Sequence, residues 1–225
     1  MVGQFIRMTM ADGAEVAVYH CEPEGERRGG LVVIQEIFGI NAHIRAVCDG
    51  YAGEGYEVLA PALFDREHPG FDVGYDDAGK AAGIALARQQ HPFNLTLADT
   101  RTCIDALRGK GPVFVVGYCY GGSVTWFAAT RMEGVAAASG YYGSLIPGAA
   151  GEVPNCPTIL HFGRHDHGIP MEGVEKVIAA GHPNLTVYVY EAGHGFNCDQ
   201  RPDYDPERAK LARERTLALF RANQG

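Results

Sequence analysis

Short apolar runs alternate with amphipathic stretches along most of this chain, and that alternation limits the fold more than any other feature. Residues 31–37, 57–60, 113–117, 135–139, 158–163 and 185–190 have the length and the apolar or β-branched content of buried strands. Residues 43–54, 94–108, 119–130, 171–180 and 206–222 carry helical patterns between or after them, with Asn41 and Asn94 placed as N-caps and Pro206 near the first turn of the last helix. Strands that are apolar throughout need cover on both faces, and helices inserted between them supply it, which predicts a mostly parallel central sheet with helices on both faces. The first two runs, 5–10 and 15–20, flank Ala11-Asp12-Gly13, and Asp-Gly is a tight-turn signal, so an antiparallel N-terminal edge is expected. The region 62–91, with Pro69, Gly70, Gly74, Asp76 and Asp77 before a helical stretch near 80–90, reads as a surface excursion, either part of a lid or a plain connection.

A chain of 225 residues with 46% hydrophobic and 20% charged side chains has enough material for one α/β domain over residues 1–225. Its net charge of −8 disfavours a nucleic-acid partner, which needs clustered Lys and Arg. No stretch approaches the roughly 18 apolar residues of a membrane span, and the first ten residues, with Gln4 and Arg7, lack a signal-peptide pattern. A cytoplasmic location is the expectation. It agrees with reading Cys21, Cys48, Cys103, Cys119, Cys156 and Cys198 as reduced thiols, since their spacing is irregular and no C-x-x-C occurs.

The chemistry concentrates in Gly117-Tyr118-Cys119-Tyr120-Gly121-Gly122, which follows the strand at 113–117 and opens the next helix. This is the G-x-nucleophile-x-G elbow with cysteine where serine is usual. A sharp strand-to-helix turn lifts the sulfur into a cleft. The flanking glycines let the two elements approach, and the positive end of the helix favours thiolate. The Tyr120 N–H is then free to stabilise an oxyanion. Elbow hydrolases place an acid and then a histidine later in the chain. Here Asp166 follows the strand at 158–163 and His194 follows the strand at 185–190, both at the carboxyl edge of the expected sheet. His194 would shuttle the proton and Asp166 would fix its tautomer. His161, His165 and His167 lack metal-site spacing and read as loop histidines around a site. No G-x-G-x-x-G follows the first buried strand and no P-loop occurs, so neither cofactor nor metal is expected.

These residues carry a likeness. With Gln35-Glu36-Ile37-Phe38-Gly39-Ile40-Asn41, the cysteine elbow, Gly163-Arg164-His165-Asp166 and Gly193-His194-Gly195-Phe196, the chain resembles dienelactone hydrolases (carboxymethylenebutenolidases) of the α/β-hydrolase superfamily over almost its whole length. The resemblance implies hydrolysis of an enol-lactone or carboxylic ester through an acyl-cysteine. It also implies an oxyanion hole from the Ile37 and Tyr120 N–H groups, and a catalytic role for Glu36 hydrogen-bonded to the Cys119 thiol. The family's substrate-carboxylate arginines are not matched by motif. Only Gly195, Phe196, Asn197 and Cys198 directly follow His194, and the available cations are Arg66, Lys80, Arg88 and Arg201, of which Lys80 or Arg201 could substitute. Besides a small carboxylated lactone, the open alternatives are a broad carboxylesterase or thioesterase acting on uncharged substrates and a hydrolase fold that binds a ligand without turnover. Nothing in the pattern specifies an oligomeric state.

Overall fold

The computed structural model describes residues 2–224. Eight strands form one sheet: β1 (Gln4–Thr9), β2 (Glu15–Cys21), β3 (Gly29–Ile34), β4 (Tyr56–Pro61), β5 (Val113–Tyr118), β6 (Ala137–Tyr141), β7 (Thr158–Gly163) and β8 (Leu185–Tyr190). Their spatial order is β1-β2-β4-β3-β5-β6-β7-β8. β1 pairs antiparallel with β2 around the Asp12-Gly13 turn, and β2 pairs antiparallel with β4. From β4 onward every pairing is parallel. The expected architecture and its antiparallel edge are both present.

The two-residue strand period sorts the core into two layers. Leu31 and Val33 of β3, with Phe114 and Val116 of β5, pack with Ile44 and Cys48 of α1 (Ala42–Ala52) and Leu217 and Phe220 of α6 (Pro206–Ala222). Val32, Ile34, Val113 and Val115 point the other way. They meet Ile104 and Leu107 of α3 (Phe93–Arg108) and Val124 and Ala128 of α4 (Tyr120–Arg131). Asn41 caps α1, its side chain accepting from the Ile44 N–H. Asn94 does not cap α3. The helix starts one residue earlier, behind Pro92, whose carbonyl accepts from Leu95 N–H at 2.9 Å, and Asn94 lies inside the first turn.

Several strand boundaries differ from the sequence expectation by a residue or two; the end of β3 and the span of β6 differ for tertiary reasons. β3 stops at Ile34, so Gln35, Glu36 and Ile37 leave the sheet as a loop. The carbonyls of Ile34 and Gln35 are pressed against Gly121, where an added Cβ would lie 2.3 and 2.6 Å from them. β6 covers Ala137–Tyr141 instead of 135–139, because its register partners on β5 run from Phe114 to Tyr118. The region 62–91 is more built than a surface excursion. Leu63, Phe64 and Phe71 are buried, and Asp76 caps α2 (Asp77–Ala85), which runs into a π-helical turn over Leu86–Gln90.

The last helix is tied to the sheet by polar contacts as well as by packing. Thr216 Oγ1 lies 2.8 Å from both Ser139 Oγ and Tyr141 Oη. Beneath them His161, fully buried on β7, faces Tyr190 Oη at 2.8 Å through Nδ1 and Ser139 Oγ at 3.2 Å through Nε2. All six cysteines are free. Among the described residues no helix is long and apolar enough to cross a membrane.

Candidate active site

Four strand ends converge at the carboxyl edge of the sheet, and the loops leaving them build one site. β5 ends at the elbow, where Cys119 has φ 54° and ψ −112°, a conformation that holds its side chain clear of both strand and helix. The Cys119 N–H donates to Tyr141 O at 3.0 Å, and the Ser123 N–H donates to Cys119 O at 3.2 Å. The elbow closes only because its flanks are glycine. A Cβ on Gly117 would sit 2.1 Å from Gly121 O, and one on Gly121 would meet the backbone of Ile34 and Gln35. Those atoms are main chain at the sheet centre and cannot swing aside. Gly121→Ala is therefore expected to lower the melting temperature by roughly 5–10 °C. It should also lower turnover, because the displaced loop carries Glu36 and Ile37. Thermal unfolding and a steady-state assay check both, and an unchanged melting temperature would show that the elbow has slack.

The loops after β7 and β8 bring Asp166 and His194 to the sulfur. His194 Nε2 is 3.2 Å from Cys119 Sγ, and Nδ1 is 2.6 Å from Asp166 Oδ2. The other Asp166 oxygen accepts the backbone N–H groups of Gly168 (2.8 Å) and Ile169 (3.2 Å), so a carboxylate only 3% exposed has its lone pairs directed. Burial works against a charged imidazole at His194. The Cys119 thiolate and the Asp166 carboxylate outweigh it and push this histidine up to about 10.

Glu36 is 1% exposed, in the loop after β3. The expected thiol contact is not the one the carboxylate makes. Tyr75 Oη donates to Oε2 at 2.8 Å and Arg201 Nη1 donates to Oε1 at 3.2 Å, while the Cys119 sulfur faces His194. A buried carboxylate prefers a cation and a hydroxyl over a weak thiol donor. Arg201 is held by its surroundings. It packs over Gly195, where an added Cβ would meet the guanidinium at 2.6 Å, and lies 6.0 and 5.9 Å from the Phe38 and Tyr75 ring centroids. Burial opposes its charge, and Glu36 together with Cys119, Tyr142 and Cys198 more than compensates, holding it above the usual arginine range. Tyr75 was not singled out from sequence. It sits in an irregular stretch whose local pattern carries no sign of a buried glutamate partner.

A cavity of about 880 Å³ opens over the sulfur. Ile37 and Tyr120 line it beside Cys119. The Ile37 carbonyl packs against Gly83 of α2, where a Cβ would come within 2.3 Å, and the Tyr120 phenol is anchored on Thr96 Oγ1 at 2.9 Å. Lys80, Ile84, Ala87 and Arg88 form one wall, spaced so that a single helical face presents them. The stretch read as lid or connection is thus a side of the cavity. Arg66 is elsewhere, bound to Asp12 and Asp99. His165 and His167 reach the cavity rim, whereas His161 belongs to the buried network under α6. Two groups of described residues bring three possible metal ligands within 4.8 Å of one another. In His43–Cys198–Asp199 the aspartate already takes His43 Nδ1 at 3.0 Å, and in His20–Glu22–Glu57 Glu57 is paired with Arg27 and Lys110.

The model of the "Dienelactone hydrolase family" matches residues 16–224. A protein of Synechocystis sp. named "Putative carboxymethylenebutenolidase" is 34% identical over 226 residues, covering 92% of this chain and 91% of its own. One of the same name from Escherichia coli K12 is 32% identical over 236 residues, covering 96% and 85%. The crystal structure of a "Putative Dienelactone Hydrolase" from Klebsiella pneumoniae superposes with a TM-score of 0.82 at 28% identity, over 98% of this chain and 99% of that one.

Proposed function

The chain belongs to the dienelactone hydrolase family, and from that premise we propose that it hydrolyses an enol-lactone or carboxylic ester through an acyl-cysteine intermediate. Cys119 is the nucleophile, His194 the general base and acid, and Asp166 the group that orients His194. The observation that carries this reading is the unbroken line from Sγ to Nε2 at 3.2 Å and from Nδ1 to the Asp166 carboxylate at 2.6 Å, lying at the floor of the cavity.

The steps follow from that line. The thiolate attacks the carbonyl carbon while His194 holds the proton. The carbonyl electrons move onto oxygen, where the Tyr120 and Ile37 N–H groups receive the charge, each such donor contributing about 3–4 kcal/mol in comparable sites. The intermediate collapses, the C–O bond breaks, and the leaving oxygen takes the proton from His194. The sulfur is now a neutral thioester, so the thiolate charge that favoured the imidazolium is gone and His194 becomes a base near neutral pH. It takes a proton from water as that water attacks the thioester, and thiolate departs, leaving a carboxylate product. These steps use only the named side chains and water.

Glu36 acts in this reading as the anion that fixes Arg201 and Tyr75 behind the nucleophile. That pairing also favours a second substrate class. With Arg201 neutralised by Glu36, the cavity floor offers no free cation for a substrate carboxylate, as a neutral ester or thioester would need. Lys80 and Arg88 on the wall are the cations left for a carboxylated lactone. Free thiols at all six cysteines suit a reducing compartment, so a cytoplasmic location is part of the proposal.

The test is rapid mixing with 4-nitrophenyl acetate, quenching within the first turnover and mapping the acetyl group by peptide mass spectrometry. Parallel assays use cis- and trans-dienelactone. Acetyl on Cys119 is the expected result, and acetyl elsewhere, or turnover without any adduct, overturns the mechanism. Dienelactone turnover selects the carboxylated lactone, and activity confined to the neutral ester selects the second class. Binding without turnover of any of them would make the fold a ligand-binding module.

A further inference from the structure

The loop between β8 and α6 carries more than His194 and Arg201. Between those two residues lie Cys198, fully buried, and Asp199, exposed, and they meet His43 in the first turn of α1. One nitrogen of His43, the Cys198 sulfur and one Asp199 oxygen all lie within 4.8 Å of one another. Tight turns hold the loop in place there. The Cys198 N–H donates to Gly195 O at 2.9 Å, and the Arg201 N–H donates to Cys198 O at 3.1 Å. The mechanism above uses none of the three side chains.

His43 is only 5% exposed, yet the ring is paired on one side alone. Nδ1 donates to Asp199 Oδ1 at 3.0 Å, while Nε2 is buried and has no hydrogen-bond partner among the described residues. Buried ring nitrogens are ordinarily paired on both sides, so this ring has a coordination capacity that the protein itself does not use. Imidazole, thiolate and carboxylate are a zinc-type ligand set, too soft for magnesium or calcium. Bond lengths of about 2.0–2.3 Å place tetrahedral zinc ligands about 3.3–3.6 Å apart. The histidine and the aspartate are already at that spacing, and the sulfur has to close by about 1 Å, which a side-chain rotation supplies. Thiolate and carboxylate also cancel the charge of a divalent ion, so the buried complex is neutral. The Asp199 side chain is 64% exposed, which gives an ion a route in from solvent and leaves a fourth position for water. The cluster at Glu57 lacks these features, because Arg27 and Lys110 already neutralise its carboxylate and repel a cation.

We propose that His43, Cys198 and Asp199 bind a zinc-type divalent cation that ties α1 to the loop carrying His194 and Arg201. As the sulfur–metal bond forms, the Cys198 proton leaves to solvent. The imidazole binds neutral and keeps its one proton on the nitrogen the ion does not take. The inference is independent of which residue is the nucleophile.

Cys119 and His194 are a second sulfur–nitrogen pair, 3.2 Å apart, that also attracts such ions, so the experiment is run on Cys119→Ala. The protein is stripped with chelator, kept reduced, and titrated with Co²⁺, then with Zn²⁺, with Mg²⁺ as control. The expected result is one Co²⁺ per chain with a thiolate-to-cobalt absorption band, displaced by Zn²⁺ and not by Mg²⁺. Adding Cys198→Ser should abolish the band, and adding His43→Gln or Asp199→Asn should weaken binding by about tenfold or more. Zn²⁺ should raise the melting temperature of Cys119→Ala and leave that of the Cys198→Ser variant where it was. Asp199 is exposed, so its variant folds whatever the role of the site and keeps the test decisive. No band in Cys119→Ala, a band that survives Cys198→Ser, or Co²⁺ affinity unchanged in Asp199→Asn would each overturn the proposal.

Discussion

Cys119→Ala is expected to lower kcat on every substrate the wild type turns over by about 10⁴-fold or more while leaving the fold intact. The loss is large because the nucleophile, the base and its orienter act as one unit, and His194 and Asp166 have nothing to activate once the sulfur is gone. The fold survives because the elbow is built from main-chain contacts. The Cys119 N–H and carbonyl hold Tyr141 and Ser123 whatever the side chain, and alanine carries the same Cβ into the same left-handed turn. The substitution also removes the thiolate charge that holds His194 up, so the imidazole should titrate below its wild-type value. Parallel kinetics, melting curves and a histidine NMR titration check all three. Equal turnover by wild type and variant would end the cysteine mechanism.

Acid should destabilise this protein through His161 before its carboxylates are exhausted. Burial, with help from the nearby Arg215 charge, lowers this histidine from 6.5 to about 3. The contacts agree with a neutral ring. Arg215 Nη1 donates to Tyr190 Oη at 3.0 Å, which leaves the Tyr190 proton for His161 Nδ1, so the ring proton sits on Nε2 and faces Ser139 and Thr216. Between pH 6.5 and about 3 the unfolded chain binds a proton here that the folded chain does not, so stability falls as pH falls through that window and is unaffected above it. The full contribution has an upper bound of about 5 kcal/mol. Urea denaturation from pH 7 to 4 should show a steeper loss in wild type than in His161→Gln, which cannot take up the proton in either state. Equal slopes would show that His161 is charged in the folded protein.

His161 also marks a limit of reading the sequence. Three histidines within seven residues, His161, His165 and His167, look alike as a cluster around a site. Two of them reach the cavity rim and the third lies beneath the sheet, because the strand continues through His161 to Gly163 and turns only afterwards. The cations show the same divide. Arg201 lies seven residues beyond His194 with no motif to announce it, yet the loop after β8 folds it back onto Glu36, while Arg66 is consumed by Asp12 and Asp99. Glu36 reads as the end of a buried strand, and its actual partners come from residues 39 and 165 positions away.

The sequence by itself determined the alternation of strand and helix, the antiparallel edge, the elbow at Cys119, and Asp166 and His194 at the strand ends that follow. Each of these is written in local physics: a period of two or 3.6, a glycine where a Cβ would collide, a turn residue after an apolar run. The tertiary structure alone decided where β3 and β6 end, that the 62–91 stretch walls the cavity, that Glu36 belongs to Tyr75 and Arg201, and that the Tyr142 ring is buried beside His194. Those outcomes depend on which loops meet once the sheet has ordered its strands. Buried polar groups choose partners by proximity in space and by the cost of remaining unpaired, and neither is encoded within a few residues of chain.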